Sequence, residues 1–110
     1  MLFNCLDDKG DPLDIPKDQV LYVYKVAKYA LFVHTDRHQE LEWEMMGPID
    51  SASRFLAQFG FARVDSGTIV NMSKIASWSK KKVFGKYEAY FTDGSKVTVS
   101  RTAHELYCKS

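Results

Sequence analysis

Asp93-Gly94 stands between an apolar-rich stretch, residues 86–92, and Val97-Thr98-Val99. Glycine and aspartate supply the positive φ that a tight hairpin demands, so this pair commits the C-terminal part of the chain to antiparallel pairing. The same grammar recurs upstream. Val20-Leu21-Tyr22-Val23-Tyr24 and Ala30-Leu31-Phe32-Val33-His34-Thr35 are β-branched and aromatic runs, with a turn expected at residues 25–28. Asp36-Arg37-His38-Gln39 turns the chain again, into a third strand around Leu41 and Trp43, which makes a β-meander. Shorter apolar pieces follow at Phe61-Ala62-Arg63-Val64, Thr68-Ile69-Val70 and Ile75-Ala76.

Helical signals are few. Gly47-Pro48 breaks the strand pattern, and Ile49, Ala52, Phe55, Leu56 and Phe59 then fall at helical spacing up to Gly60. Thr102-Ala103-His104-Glu105 fits a capping box ahead of Leu106 and Tyr107. Residues 1–17 are polar and turn-rich, with a loop signal at Asp7-Asp8-Lys9-Gly10-Asp11-Pro12 that Pro16 closes. The expected fold is all-β or β-dominated: short antiparallel strands in small packed sheets, with one or two short helices.

A chain of 110 residues suits one domain, and at this size folding buries roughly two-thirds of the unfolded surface. Hydrophobic residues at 45% and aromatics at 14% supply a core and argue against disorder. The net charge is only +1, yet residues 1–60 carry six Lys/Arg against ten Asp/Glu, and residues 61–110 nine against four. The basic C-terminal part suggests a surface that faces a polyanion; an ordinary solvated surface explains the charge equally well. Cys5 and Cys108 form no C-x-x-C pair, and they read as free thiols of a cytoplasmic protein. A charged segment followed by an apolar one, as in a signal peptide, is absent. So is any apolar run near the ~20 residues of a membrane helix.

The residues offer little to catalysis. His34 and His38 are four apart but flank an expected turn, without an obvious third ligand, so no metal is expected. Ser66 lies outside any G-x-S-x-G elbow, and Ser100 before Arg101 suggests anion contact more than acyl transfer. Gly85 and Gly94 are isolated turn glycines, not a phosphate loop. Neither an enzyme nor a cofactor is expected. Helix-turn-helix, zinc-finger and basic-zipper patterns are missing too. Lys80-Lys81-Lys82 is the densest basic run. It can neutralise phosphates, or it can be a solvated loop that protects a strand edge.

From Phe61 onward the chain resembles the LytTR family of bacterial DNA-binding domains. The resemblance rests on an aromatic, an Arg, a polar loop and an apolar run ending in Asn, here Phe61-Ala62-Arg63-Val64-Asp65-Ser66-Gly67-Thr68-Ile69-Val70-Asn71, with Ile75 after a turn. It rests also on a strand after a Gly turn that closes in Ser-Arg, here Asp93-Gly94-Ser95-Lys96-Val97-Thr98-Val99-Ser100-Arg101. Upstream, Asp18-Gln19-Val20-Leu21-Tyr22-Val23, Tyr29 and Val33-His34-Thr35 fit as well, so the match spans about residues 15–107, with 1–14 a leading segment. The resemblance implies loops that enter successive major grooves, at paired direct repeats in promoters. It implies base reading near Lys28-Tyr29-Ala30, in the polar loop after Arg63 (Asp65 and Ser66), and at Arg101. The family's polar loop commonly carries His, then Lys, Arg or Asn, then Ser. Here Asp65, Ser66 and Gly67 stand there, so either the target differs or binding is weak. Asp65 can accept from a cytosine amino group or orient a nearby lysine. The family's usual receiver domain does not fit in 110 residues, which leaves a free-standing regulator or an excised domain.

These residue types suit the work. Arg101 can pair bidentately with guanine O6 and N7. Lys80, Lys81, Lys82 and Lys96 can neutralise phosphates with little sequence preference. The Asn71 amide suits tying down a loop backbone, and Arg63 suits either bracing the loop or a phosphate. The leading reading is sequence-specific binding of double-stranded DNA in transcription control, with a homodimer on DNA and a regulatory protein as further candidate partners. The rival is a protein-interaction domain of the same fold that has lost DNA contact.

Overall fold

The computed structural model describes residues 1–45, 47–82 and 84–108. It has β-strands β1 (Leu2–Leu6), β2 (Pro12–Pro16), β3 (Val20–Ala27), β4 (Ala30–Thr35) and β5 (Leu41–Trp43), then helix α1 (Ile49–Ala57). Strands β6 (Phe61–Asp65), β7 (Thr68–Asn71), β8 (Ile75–Trp78), β9 (Tyr87–Phe91) and β10 (Lys96–Val99) follow, and helix α2 (Arg101–Tyr107) comes last. The larger sheet runs β2-β1-β5-β4-β3-β7-β6, and the smaller β10-β9-β8. Every pairing among the described residues is antiparallel, as the turn-punctuated sequence implies. The meander and the Asp93-Gly94 hairpin form as expected, with Gly94 at φ 88°.

Residues 1–17 depart from their turn-rich appearance. They form the hairpin β1–β2, and β1 docks onto β5 inside the larger sheet. Phe3 and Cys5 are buried at a spacing of two, opposite Ile15 and Leu13. Pro12 and Pro16 are exposed on β2, an edge strand, where a missing N–H costs no ladder bond.

The core is in two parts. One side of the larger sheet buries Phe3, Val23, Leu31, Val33, Trp43, Phe61 and Ile69 against Ile49, Ala52 and Leu56 of α1. Around Leu21, Val64 and Val70 the chain packs instead on Ala89, Phe91, Val97, Val99 and Ala103, from the smaller sheet and α2. Bulges make this switch possible. The register of β3 slips between Val20 and Tyr22, and that of β6 between Arg63 and Asp65. A bulge re-aims the side chains beyond it, so one strand can serve both cores.

A polar clasp joins the two sheets. His34 on β4 is 5% exposed and stacks on Tyr22, with ring centroids 4.5 Å apart. Its Nε2 lies 2.8 Å from Asp93 Oδ2 in the β9–β10 turn. Burial pushes the Asp93 carboxyl up, but hydrogen bonds from Ser95 and His34 outweigh it and hold the group below its ordinary range. Cys5 and Cys108 are free thiols, and burial first, then Glu44 and Asp14, pushes the Cys5 thiol up to about 12. No helix among the described residues is long and apolar enough to cross a membrane.

Candidate nucleic-acid interface

Three chain segments meet at one end of the molecule, and sheet register brings them there. The β3–β4 hairpin closes through Ala27 opposite Ala30, which puts Lys28 and Tyr29 at its tip, both exposed. Next in the sheet, β7 pairs with β3 through Tyr24 opposite Thr68, and the Lys25 amide donates to the Gly67 carbonyl at 2.9 Å. The Ser66-Gly67 turn therefore lies beside the Lys28-Tyr29 hairpin. From the smaller sheet, the Ser100 amide donates to the Val64 carbonyl at 2.7 Å, which anchors the start of α2 next to the same turn. Arg63, Val64, Asp65, Ser66 and Ser100 line a shallow cleft of about 220 Å³. Arg101 begins α2 directly after it.

The β6–β7 loop is held from several sides. Arg63 bridges the Asp50 carboxylate on α1 and the Ser66 carbonyl, the latter at 2.6 Å. Lys86 Nζ approaches Asp65 Oδ1 at 3.4 Å. At the far end of β7, Asn71 is 3% exposed. Its amide donates to the carbonyls of Val20 (3.0 Å) and Lys17 (3.3 Å), and its oxygen accepts from the hydroxyl and amide of Ser73. All four hydrogen bonds involve one buried side chain, so β7 is fixed to the start of β3.

Arg101 is differently placed. Its side chain is 75% exposed, and its one ion pair among the described residues is with Glu105, 3.2 Å away and itself 66% exposed. An exposed i,i+4 pair of this kind is worth only about 0.3–0.5 kcal/mol, so the guanidinium can be released to a ligand at little cost. The helix is capped by Ser100, whose hydroxyl accepts from the Ala103 amide at 3.1 Å, and not by Thr102. The cap falls where β10 ends, at Val99, two residues earlier than the Thr102 box implies, and Glu105 turns to Arg101 instead.

The basic run occupies the connection between β8 and β9, at the same end of the smaller sheet as Arg101, since Val99 pairs with Tyr87 and Trp78 with Ala89. The base of this connection is fixed. His104 Nε2 lies 2.7 Å from the Ser79 carbonyl, its ring stacks on Tyr87 at 3.7 Å, and the Ser79 hydroxyl accepts from the Glu88 amide. Lys80, Lys81 and Lys82 are exposed and pair with no carboxylate among the described residues. Lys96 stands apart. It opens β10 at the opposite end, beside the Asp93-Gly94 turn, and its Nζ is 3.2 Å from Glu88 Oε2.

The structure thus brings together Lys28, Tyr29, Asp65, Ser66, Arg101 and the basic run, and leaves out Lys96. Asp50, Lys86 and Ser100 also belong to this region, and sequence reasoning missed all three roles. Asp50 and Arg63 are thirteen positions apart on a helix and a strand, so no local spacing announces their pairing. Ser100 could have been found, being a capping residue type directly after a strand.

Comparison with known proteins agrees with this arrangement. Among curated proteins none matches the chain. Its fold is similar to that of a solved LytTr DNA-binding domain, from a protein of Bacillus cereus described as a methyl-accepting/DNA response regulator. The TM-score is 0.76 at 16% identity, over 97% of this chain and 94% of that one. The family model of the LytTr DNA-binding domain matches residues 13–106, and with that extent of agreement the chain belongs to the LytTR DNA-binding domain family.

Proposed function

We propose that this domain binds double-stranded DNA sequence-specifically in transcription control, in the cytoplasm and without catalysis of its own. The loops at Lys28-Tyr29, Asp65-Ser66 and Arg101 enter the major groove at paired promoter repeats, and Lys80, Lys81 and Lys82 neutralise flanking phosphates. The observation that carries this reading is the convergence of these segments at one end, where sheet register sets their spacing. Rigid elements that hold polar side chains at fixed spacing lower the entropy cost of reading base edges. Arg101 supplies an exposed fork for guanine O6 and N7. Arg63, engaged with Asp50 and Ser66, braces the loop and leaves phosphate contact to the lysines.

Asp65 is the chief obstacle to a polyanion ligand. Lys86 lies against it and offsets its charge, which favours DNA over the protein-interaction alternative. Selection from a random duplex pool, followed by binding at graded salt, tests the proposal. A consensus sequence should emerge, with log K falling linearly against log salt. Lys81→Ala and Lys82→Ala should each lower the slope by about 0.9. A pool that stays random, with no slope to lose, would leave the protein-interaction reading in its place.

A further inference from the structure

Phe84 has no role in the fold. It is wholly exposed, at 103% of its reference area, on a chain whose other large aromatics are at least partly covered. Its backbone sits at φ 50°, the only positive φ outside glycine among the described residues, and Gly85 follows at φ 83°. With two successive positive φ values, Phe84-Gly85 forms a turn in the connection between β8 and β9. A side chain larger than Asn or Asp rarely adopts that region, and a turn that needs only shape would be served by Asn-Gly or Asp-Gly. Here the turn holds a phenyl ring out in water.

The surroundings of that ring are cationic. Lys80, Lys81, Lys82 and Lys86 all lie within four residues of it. Lys86 reaches Asp65 in the β6–β7 loop at 3.4 Å, and two residues of chain span at most ~7 Å, so Phe84 borders the base-reading end of the domain. The base of the hairpin is fixed by His104, Ser79 and Glu88, so the ring is carried on an anchored arm.

We propose that Phe84 is an apolar wedge for DNA: lysines on either side take the phosphates, and the ring enters the groove against a base step and partly opens it. A wedge of this kind makes affinity depend on how easily that step deforms, so the domain would discriminate at a position where it makes no hydrogen bond to a base. The inference rests on the DNA-binding reading above and adds a contact of a different kind. A cationic arm with an exposed aromatic also suits an anionic lipid surface; DNA is favoured because the arm adjoins Asp65 and Arg101.

The test uses a duplex recovered by the wild-type chain from a random pool, with 2-aminopurine placed at successive positions. Wild-type protein should raise the fluorescence at one step, which reports unstacking. Phe84→Ala should abolish that rise and weaken binding roughly tenfold, as expected for a phenyl ring that stays unburied. Its salt slope and melting temperature should not change, since no cation and no core contact is lost. Phe84→Trp should retain the rise. If Phe84→Ala binds as tightly and gives the same fluorescence, the wedge is refuted while DNA binding stands. If the wild-type chain recovers no duplex, the DNA-binding reading fails and takes the wedge with it. Phe84-dependent binding to phosphatidylserine vesicles, without Phe84-dependent DNA binding, would overturn the proposal in favour of a lipid surface.

Discussion

The β6–β7 loop and the β8–β9 connection lie side by side but are built on opposite lines. The first is two residues long at its tip and tied on each flank: Arg63 to Asp50 and Ser66, Lys25 to Gly67, Lys86 to Asp65. The second is anchored at its base, through Ser79, His104 and Glu88, and touches the first through Lys86; between these points it carries an exposed phenyl ring and three lysines that pair with no carboxylate among the described residues. Bonds that fix a loop use up its polar groups, so the braced loop offers few contacts in a defined geometry. The projecting one offers charge and apolar surface with little geometric demand. In the proposed complex the first reads and the second grips, a division that follows from where hydrogen bonds are already used as much as from charge.

The largest expected effect comes from removing the far anchor of the braced loop. Asn71→Ala removes three side-chain bonds to the backbone; the Lys17 carbonyl keeps the Val20 amide and Ser73 is exposed, so the Val20 carbonyl is the buried group that loses this partner. A buried group left unpaired costs about 1–3 kcal/mol, and each part-buried hydrogen bond lost beside it about 0.5–1.5 kcal/mol, so the domain should lose on the order of 2–3 kcal/mol in denaturant unfolding. A loss below 0.5 kcal/mol, the level of an ordinary surface change, would show that water replaces the amide and that the anchor is dispensable.

Next in size is Arg101→Ala. The exposed pair with Glu105 contributes little, so the melting temperature should barely move. Preference at one base pair should relax by ~1–3 kcal/mol in a binding-site profile, and Arg101→Lys should restore little of it, since an ammonium lacks the planar fork. A fall in stability with an unchanged profile would return Arg101 to the helix as a plain salt-bridge residue.

The smallest effect sharpens the comparison by adding a group. Gly67 does not have the positive φ of the turn glycines, and a Cβ there would meet only Lys25 Cβ, at 3.7 Å, an ordinary contact. Gly67→Ser should therefore fold normally. It restores the hydroxyl that the family's loop commonly carries, which should strengthen DNA binding by about 0.5–1.5 kcal/mol, the net worth of one hydrogen bond. Unchanged affinity would mean that this tip does not reach a phosphate.

Much of the fold was legible because turns and alternation are local. Asp93-Gly94, the runs at Val20 and Ala30, and the spacing of Ile49, Ala52 and Leu56 each carry their own signal. The β1–β2 hairpin was missed although Phe3 and Cys5 alternate correctly. Two prolines and an acidic loop obscured it, and their tolerance depends on β2 being an edge strand, a fact of topology. The site was legible in part. A family pattern marks Arg101 and the Asp65-Ser66 loop, but the braces on that loop come from α1 and from Lys86 just ahead of β9, parts brought close only by folding. Lys96 and Lys81 look alike in the sequence; only strand direction places them at opposite ends of the smaller sheet.

The central claim is that one end of the domain is its DNA surface, and amide chemical-shift mapping tests it most directly. On titration with a selected duplex, resonances of residues 28–30, 65–67, 80–82 and 100–101 should shift. Those of the distant groove lined by Met1, Leu2, Asn4, Trp43 and Phe55 should stay in place. Shifts concentrated in that groove, with these four segments silent, would contradict the account.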